Sequence, residues 1–344
     1  MPDLDHAVYG HVPIDLAEIP EGAVQCSPLV PTQGAATLSD FEPASLRTFT
    51  VHAPASTIER RRVLAFALRA LRPGGFLTAL AANDKGGTRI ADELSAFGCT
   101  VEASHKRHHR IVRTLKPREC HGLDAAIADG APRLLTGIEF WSEPGVFSWD
   151  RIDPGSQLLL DHLPSLEGSG ADIGCGIGVL ARAVMAKGRC RRLILIDIDR
   201  RALDLALKNV SSPNVEALWI DIRTARTLPS NLDFVVMNPP FHDGGEEDRN
   251  LGHTFITKAA AMLRPGGVLW MTANRHLPYE PTLTSLFETV EQIAQAQGFK
   301  IYSATKAAAA SRHKKAPAAS AERKASSTRD DRKARPNPRG PSRR

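Results

Sequence analysis

The chain has 344 residues, 42% of them hydrophobic, and a formal net charge of +6, which is length enough for two domains with full cores. It contains no apolar run of the roughly 18 residues that a membrane span needs, and its first ten residues, MPDLDHAVYG, are acidic with no apolar signal core. Five scattered cysteines with no CxxC pair argue against a zinc site and a disulfide framework and fit a reducing cytoplasm.

In chain order, TFTVHAPAS (48–56) reads as a strand stopping at His52-Ala53-Pro54. ALRPGGFLTALAAN (70–83) ends in another strand, and FGCTVEASHKRHHRIVRTLK (97–116) forms a hairpin with a basic run at 105–110. From about residue 158 the pattern alternates: QLLLDHL is helical, GADIG a strand, IGVLARAVMAK a helix, RLILIDID a strand and RRALDLALKNV a helix. EALWID and DFVVMN are strands, LGHTFITKAAAML a helix and GGVLWMTAN a strand. TVEQIAQA and FKIYSATKA close as a hairpin at Gln297-Gly298. Repeated β-α units predict a doubly wound parallel sheet with its ligand at the strands' carboxyl ends. The order strand, helix, strand, hairpin is written twice, since MLRPGGVLWMTAN (262–274) echoes 70–83 and DFVVMNPPF (233–241) stands where TFTVHAPAS stands. The first copy has no glycine-rich loop, so an internal duplication with one decayed half is expected.

ADIGCGIGVL places Gly174, Gly176 and Gly178 between a strand and a helix, where backbone turns sharply beside a ligand. Asp172 ahead of them would repel a pyrophosphate and suit an ammonium or sulfonium, so S-adenosyl-L-methionine is the cofactor expected. Asp197, at the end of the second strand, is placed to accept both ribose hydroxyls. Asp199 reads as the next helix's N-cap, and Asp221, ending the third strand, as an acceptor for the adenine amine. Val235, Val236 and Met237 read as a buried strand, and Pro239 and Pro240 end its ladder because neither has an N–H. Asn238 is expected there with its amide free. Its side-chain oxygen and the Pro239 carbonyl could accept both hydrogens of a base's exocyclic amine, localising the nitrogen lone pair for attack. Phe241 offers a flat face on which a flipped base can stack. His242 and Asp243 do not make a metal set, and no metal is required.

GVFSWDRIDPGSQLLLDHLP (145–164), DIGCGIGVL, NPPFHDG and ANRHLPY together resemble the ribosomal RNA guanine-N2 methyltransferases of the RsmC type. The resemblance implies small-subunit RNA as substrate and S-adenosylmethionine as donor. ANRHL is similar as well to the large-subunit enzymes of the RlmG type, which leaves large-subunit RNA open. A non-catalytic ribosome assembly factor retaining the pocket is the alternative of another class. The family's cofactor positions fall on Asp172, Gly174, Gly176, Asp197 and Asp221, and its catalytic motif on Asn238, Pro239, Pro240 and Phe241. A segment that folds over the cofactor falls on Phe147, Asp153, Gly155, Ser156 and Gln157. Pro154 departs from the family pattern and is expected to stiffen that cover.

The α/β fold expected is therefore two tandem Rossmann-like methyltransferase domains, a degenerate one over 1–135 and a catalytic one over 136–306, with a basic tail over 307–344. From Ser303 onward the chain carries a net +10, leaving −4 for residues 1–302. With almost no large apolar residue, the tail is expected to be disordered and to touch RNA phosphates. The partner expected is ribosomal RNA or a ribosomal subunit, with no membrane, and the chain is expected to act as a monomer.

Overall fold

The computed structural model describes residues 5–240, 242–243, 246–247 and 249–308. Phe241 and the predicted tail from residue 309 onward lie outside the described residues. In the first half, Val24–Gln25, His6–Tyr9, Leu46–His52 and Leu71–Ala82 run parallel in that spatial order. The hairpin Val101–Lys106 and His109–Leu115 completes this sheet, with His109–Leu115 antiparallel to Leu71–Ala82. In the second half, Val215–Trp219, Cys190–Asp197, Gly168–Ile173, Leu232–Met237 and Leu263–Asn274 run parallel in that order. Phe299–Thr305 and Thr289–Ala296 follow antiparallel. Numbered along the chain, the second sheet has the order 3-2-1-4-5-7-6 and the first 2-1-3-4-6-5, the same order short of one strand.

Residue patterning accounts for these strands. Val235, Val236 and Met237 are 0% exposed, as an unbroken apolar run in a sheet covered on both faces should be. The period of two sends Val235 and Met237 into one core and Phe234 and Val236 into the other, on the opposite face. The hairpin expected at Gln297-Gly298 forms with both residues left-handed (φ 52° and 84°), the geometry that matches strand twist. In the first sheet Arg107 and His108 (φ 47° and 61°) make the same turn without a glycine.

Three boundaries differ from the sequence reading. Leu263 already pairs with Leu232 before a bulge, so the strand starts directly from the helix Arg249–Met262 and not at Gly266. Gly267 is required in that bulge, because a Cβ there would lie 2.9 Å from the Leu232 carbonyl oxygen. The third strand stops at Trp219, two residues short of Asp221. Pro154 is the first residue of the helix Pro154–His162, where its missing N–H costs nothing, so it fits the helix start.

Both sheets lie within one compact unit. They meet where the Pro28 carbonyl accepts from the Arg200 amide (3.0 Å) and from Trp219 Nε1 (2.9 Å). All five cysteines are free. Among the described residues no helix is long and apolar enough to cross a membrane.

Candidate active site

The strand Gly168–Ile173 runs into the glycine loop, and the helix Val179–Ala186 follows it. Gly174, Gly176 and Gly178 all have positive φ (68°, 52° and 85°), so the loop as folded favours glycine at each position. Their surroundings differ. A Cβ on Gly176 would meet nothing within 4 Å, whereas one on Gly178 would sit 3.0 Å from the Ala206 Cβ. Gly178 lets the following helix pack closely on the helix Arg200–Val210, and Gly176 faces open space. That space is a cleft of about 430 Å³ whose walls include Phe147, Arg151, Asp153, Ser156, Gly176 and Asn238.

Asn238 follows the last residue of the strand Leu232–Met237. Its amide is not free, contrary to the sequence reading. Nδ2 donates to Asp153 Oδ2 and to Ser156 Oγ, each at 2.8 Å. A carboxylate only accepts hydrogen bonds, so the amide nitrogen must face Asp153. Both amide hydrogens are then engaged, and no described residue donates to Oδ1. Asp153 does a second job in the same turn: Oδ2 accepts the Ser156 amide at 2.9 Å and caps the helix Pro154–His162. The segment 153–156 thus fixes which end of the Asn238 amide is available to a ligand.

The three acids are placed differently from one another. Asp172 does not reach the cleft wall as expected. It is fully buried, with Oδ2 accepting the Ala181 amide at 3.0 Å and Oδ1 without a partner. Burial pushes its carboxyl up to about 8, so it sits uncharged near neutrality under the loop it helps hold. Asp197 caps that loop: Oδ2 accepts the Gly176 amide (2.8 Å) and Oδ1 the Asp199 amide (2.9 Å). Burial raises its carboxyl to about 6 against those two bonds, and each oxygen retains a lone pair for a further donor. Asp221 is partly buried, which works against its charge. The Arg223 guanidinium and amide outweigh this and hold it below the usual carboxylate range. Asp199 is the N-cap expected, accepting the Arg201 amide at 3.0 Å.

Other expected positions separate in the same way. Phe147 lies on the cleft wall and is 61% exposed. Gly155 packs below, where a Cβ would lie 2.8 Å from the Phe299 ring. Gln157 leaves the cleft: it is exposed and donates to Asp161 one helical turn along. Pro239 is buried and Pro240 exposed. The wall also holds Arg151 and Cys175, which sequence reading passed over. The signal for Arg151 was its place inside FSWDRIDPGSQ, a lone cation among the acids. Burial pushes the Cys175 thiol far up, so it is no thiolate nucleophile. A larger cavity of about 670 Å³ between the halves shares no residue with this cleft and lacks the glycine loop.

A mixed sheet whose five parallel strands reverse order at a glycine loop, with an acid on the next strand and Asn-Pro-Pro after the fourth, is the arrangement of a class I S-adenosylmethionine-dependent methyltransferase. Residues 137–303 match the Methyltransferase small domain family. The ribosomal RNA small subunit methyltransferase C of Shewanella amazonensis is 34% identical over 248 residues, 70% of this chain and 72% of that protein. That of Shewanella loihica is 36% identical over 163 residues, 47% of this chain and 48% of that protein, so the matched stretch is about half of the relative's length. The T. thermophilus 16S rRNA N2 methyltransferase RsmC, solved with AdoMet and guanosine, superposes with a TM-score of 0.66 at 27% identity, covering 79% of this chain and 76% of that one. The chain belongs to the ribosomal RNA small subunit methyltransferase C family.

Proposed function

We propose that the chain transfers a methyl group from S-adenosyl-L-methionine to the exocyclic N2 amine of a guanine in small-subunit (16S) ribosomal RNA. The observation that carries this reading is the Asn238 amide, held by Asp153 and Ser156 beside the glycine loop with Oδ1 left over. An exocyclic amine is a poor nucleophile because its lone pair is delocalised into the ring. Asn238 Oδ1 and the Pro239 carbonyl accept its two hydrogens and draw the nitrogen toward tetrahedral geometry. The two prolines hold that backbone in place before the substrate arrives. Phe241 supplies the stacking face for the base.

The glycine loop, with Arg151 on the cleft wall and the acids at the ends of the neighbouring strands, suits the donor. Bound there, it supplies an electrophilic methyl on a sulfonium. Asp197 keeps two lone pairs for the ribose hydroxyls, Asp221 accepts from the adenine amine, and Arg151 on the wall pairs with the carboxylate. Gly176 leaves the loop open on the side where the donor lies. Asp172 acts from beneath by holding the Ala181 amide.

The first half is read as a duplicate of the second that has lost its own donor site. Its Arg60, 1% exposed, donates to the Pro54 (3.2 Å) and Ala55 (2.7 Å) carbonyls. Those carbonyls come two and three residues after the strand Leu46–His52, and Arg60 takes up their acceptor capacity. On this reading 1–135 supports and recognises, 136–306 catalyses, and the basic residues of 307–344 contact RNA phosphates. The chain works as a monomer in the cytoplasm.

Incubation with methyl-labelled donor and unmethylated small subunits, followed by nucleoside analysis, tests the reading. Label in N2-methylguanosine of the small-subunit RNA is expected. Label confined to large-subunit RNA would overturn the target. Tight RNA binding with no label would replace the enzyme by an assembly factor.

A further inference from the structure

The turn Ile198-Asp199-Arg200-Arg201 follows the strand that delivers Asp197, and the first half grips it from several sides. The Pro28 carbonyl accepts the Arg200 amide at 3.0 Å. Trp219 Nε1 donates to both Pro28 O (2.9 Å) and Ile198 O (2.8 Å), tying the turn to the first half through one indole. Glu59, on the first half's helix Thr57–Ala70, accepts from Arg201 Nη1 at 2.7 Å. The remainder of the guanidinium is spent on Asp199, with Nη2 to Oδ2 at 2.8 Å and Nε to Oδ1 at 3.0 Å. The Asp199 amide then donates to Asp197 Oδ1 at 2.9 Å, and Asp197 Oδ2 accepts from Gly176 at 2.8 Å.

We propose that Glu59 is a positioning residue for the donor site: through Arg201 and Asp199 it sets the Asp197 carboxylate that caps the glycine loop and faces the donor's ribose. The assignment rests on the reading of Asp197 as the ribose acceptor. Glu59 is 7% exposed and Glu143, 3.6 Å from the same Arg201, is 4% exposed. Arg62 lies 3.3 Å from Glu143, so acids and arginines meet with little water to screen them. Burial pushes the Glu59 carboxyl up, and Arg201 offsets this only in part. Arg201 needs a partner on the first half's side. Without Glu59 the guanidinium can swing toward Glu143, and the Asp199 carboxylate it carries moves with it. A half that holds no donor then still determines how well the other half holds one.

The test uses the full chain and calorimetry with S-adenosylhomocysteine and with its 2′,3′-dideoxy analogue. Glu59→Ala is expected to raise the Kd of S-adenosylhomocysteine about tenfold, the size of one charge-assisted hydrogen bond, and that of the dideoxy analogue less than about twofold. Glu59→Gln keeps an acceptor for Arg201 Nη1, folds without leaving Arg201 unpaired, and is expected to recover most of the loss. The methyl-transfer rate at saturating donor should stay within about twofold of wild type, so that KM for the donor moves and kcat does not. A purely structural role would lower the melting temperature and weaken both ligands alike, and equal losses would overturn the proposal. So would an unchanged Kd in Glu59→Ala. Asp197→Asn separates the premise: if it leaves S-adenosylhomocysteine affinity intact, the donor-site reading fails and this proposal with it.

Discussion

Replacing Asp153 by Asn isolates what orients the Asn238 amide. Asparagine caps a helix about as well as aspartate, so the start of the helix Pro154–His162 should hold, with stability changed by less than about 0.5 kcal/mol. What changes is the rule that fixes Asn238. A carboxylate oxygen 2.8 Å from Nδ2 excludes the flipped amide, which would bring Oδ1 against it. An asparagine can turn its own amide and accept either orientation, and the Ser156 hydroxyl, also 2.8 Å away, can donate as readily as accept. The preference lost is that of a hydrogen bond to a charged group, about 1.5–3 kcal/mol, so the amide passes from almost wholly oriented to about half oriented, and the rate of methyl transfer falls about twofold. Ser156→Ala removes a neutral acceptor and should cost roughly fivefold, from about 1 kcal/mol. Single-turnover transfer to unmethylated small subunits at saturating donor reads the effect, with melting temperature as the control for folding. An Asp153→Asn enzyme that turns over at the wild-type rate would refute the assignment of orientation to Asp153.

Asp172 gives a pH signature. Its folded carboxyl titrates at about 8, above the roughly 4 of an unfolded chain, so between those values the native state holds the extra proton. Stability from this group is therefore present below about pH 4, falls as pH rises through that window, and levels off above about 8. Asp172→Asn should remove that share of the decline, seen as a smaller loss of urea midpoint between acid and alkaline buffer than in wild type. The glycines should fail in different ways. Gly178→Ala, with φ 85° and Ala206 3.0 Å away, should cost about 1–3 kcal/mol of stability. Gly176→Ala has open space but the same left-handed strain (φ 52°), so it should lose about 1–2 kcal/mol of stability and donor affinity besides, a contrast that thermal melts and calorimetry on both variants would check. Removing residues 309–344 should flatten the dependence of RNA affinity on salt while leaving transfer at saturating RNA intact, and a filter-binding salt series decides it. Calorimetry on the whole chain should give one donor per chain, because the first half has no glycine-rich loop to hold a second.

The sequence by itself determined the elements and the chemistry. Period-two apolar runs, Gln297-Gly298, the glycine loop and Asn-Pro-Pro are local signals, because strand burial, left-handed turns and the missing proline N–H act within a few residues. They were sufficient to place Gly174, Gly176, Asp197 and Asn238 at one end of one sheet. The tertiary structure alone decided what each side chain faces. Asp172 reads in sequence as a charge offered to a ligand and in the fold as a neutral carboxyl sealed under the loop, because burial depends on what packs above it. Gln157 shares a motif with Ser156 yet points to Asp161, since neighbours on a helix face different ways. The amide of Asn238 is held by residues 85 and 82 positions away, and Arg201 by Glu59, 142 positions away. No local pattern encodes such pairs, because the chain brings them together only when the sheets close.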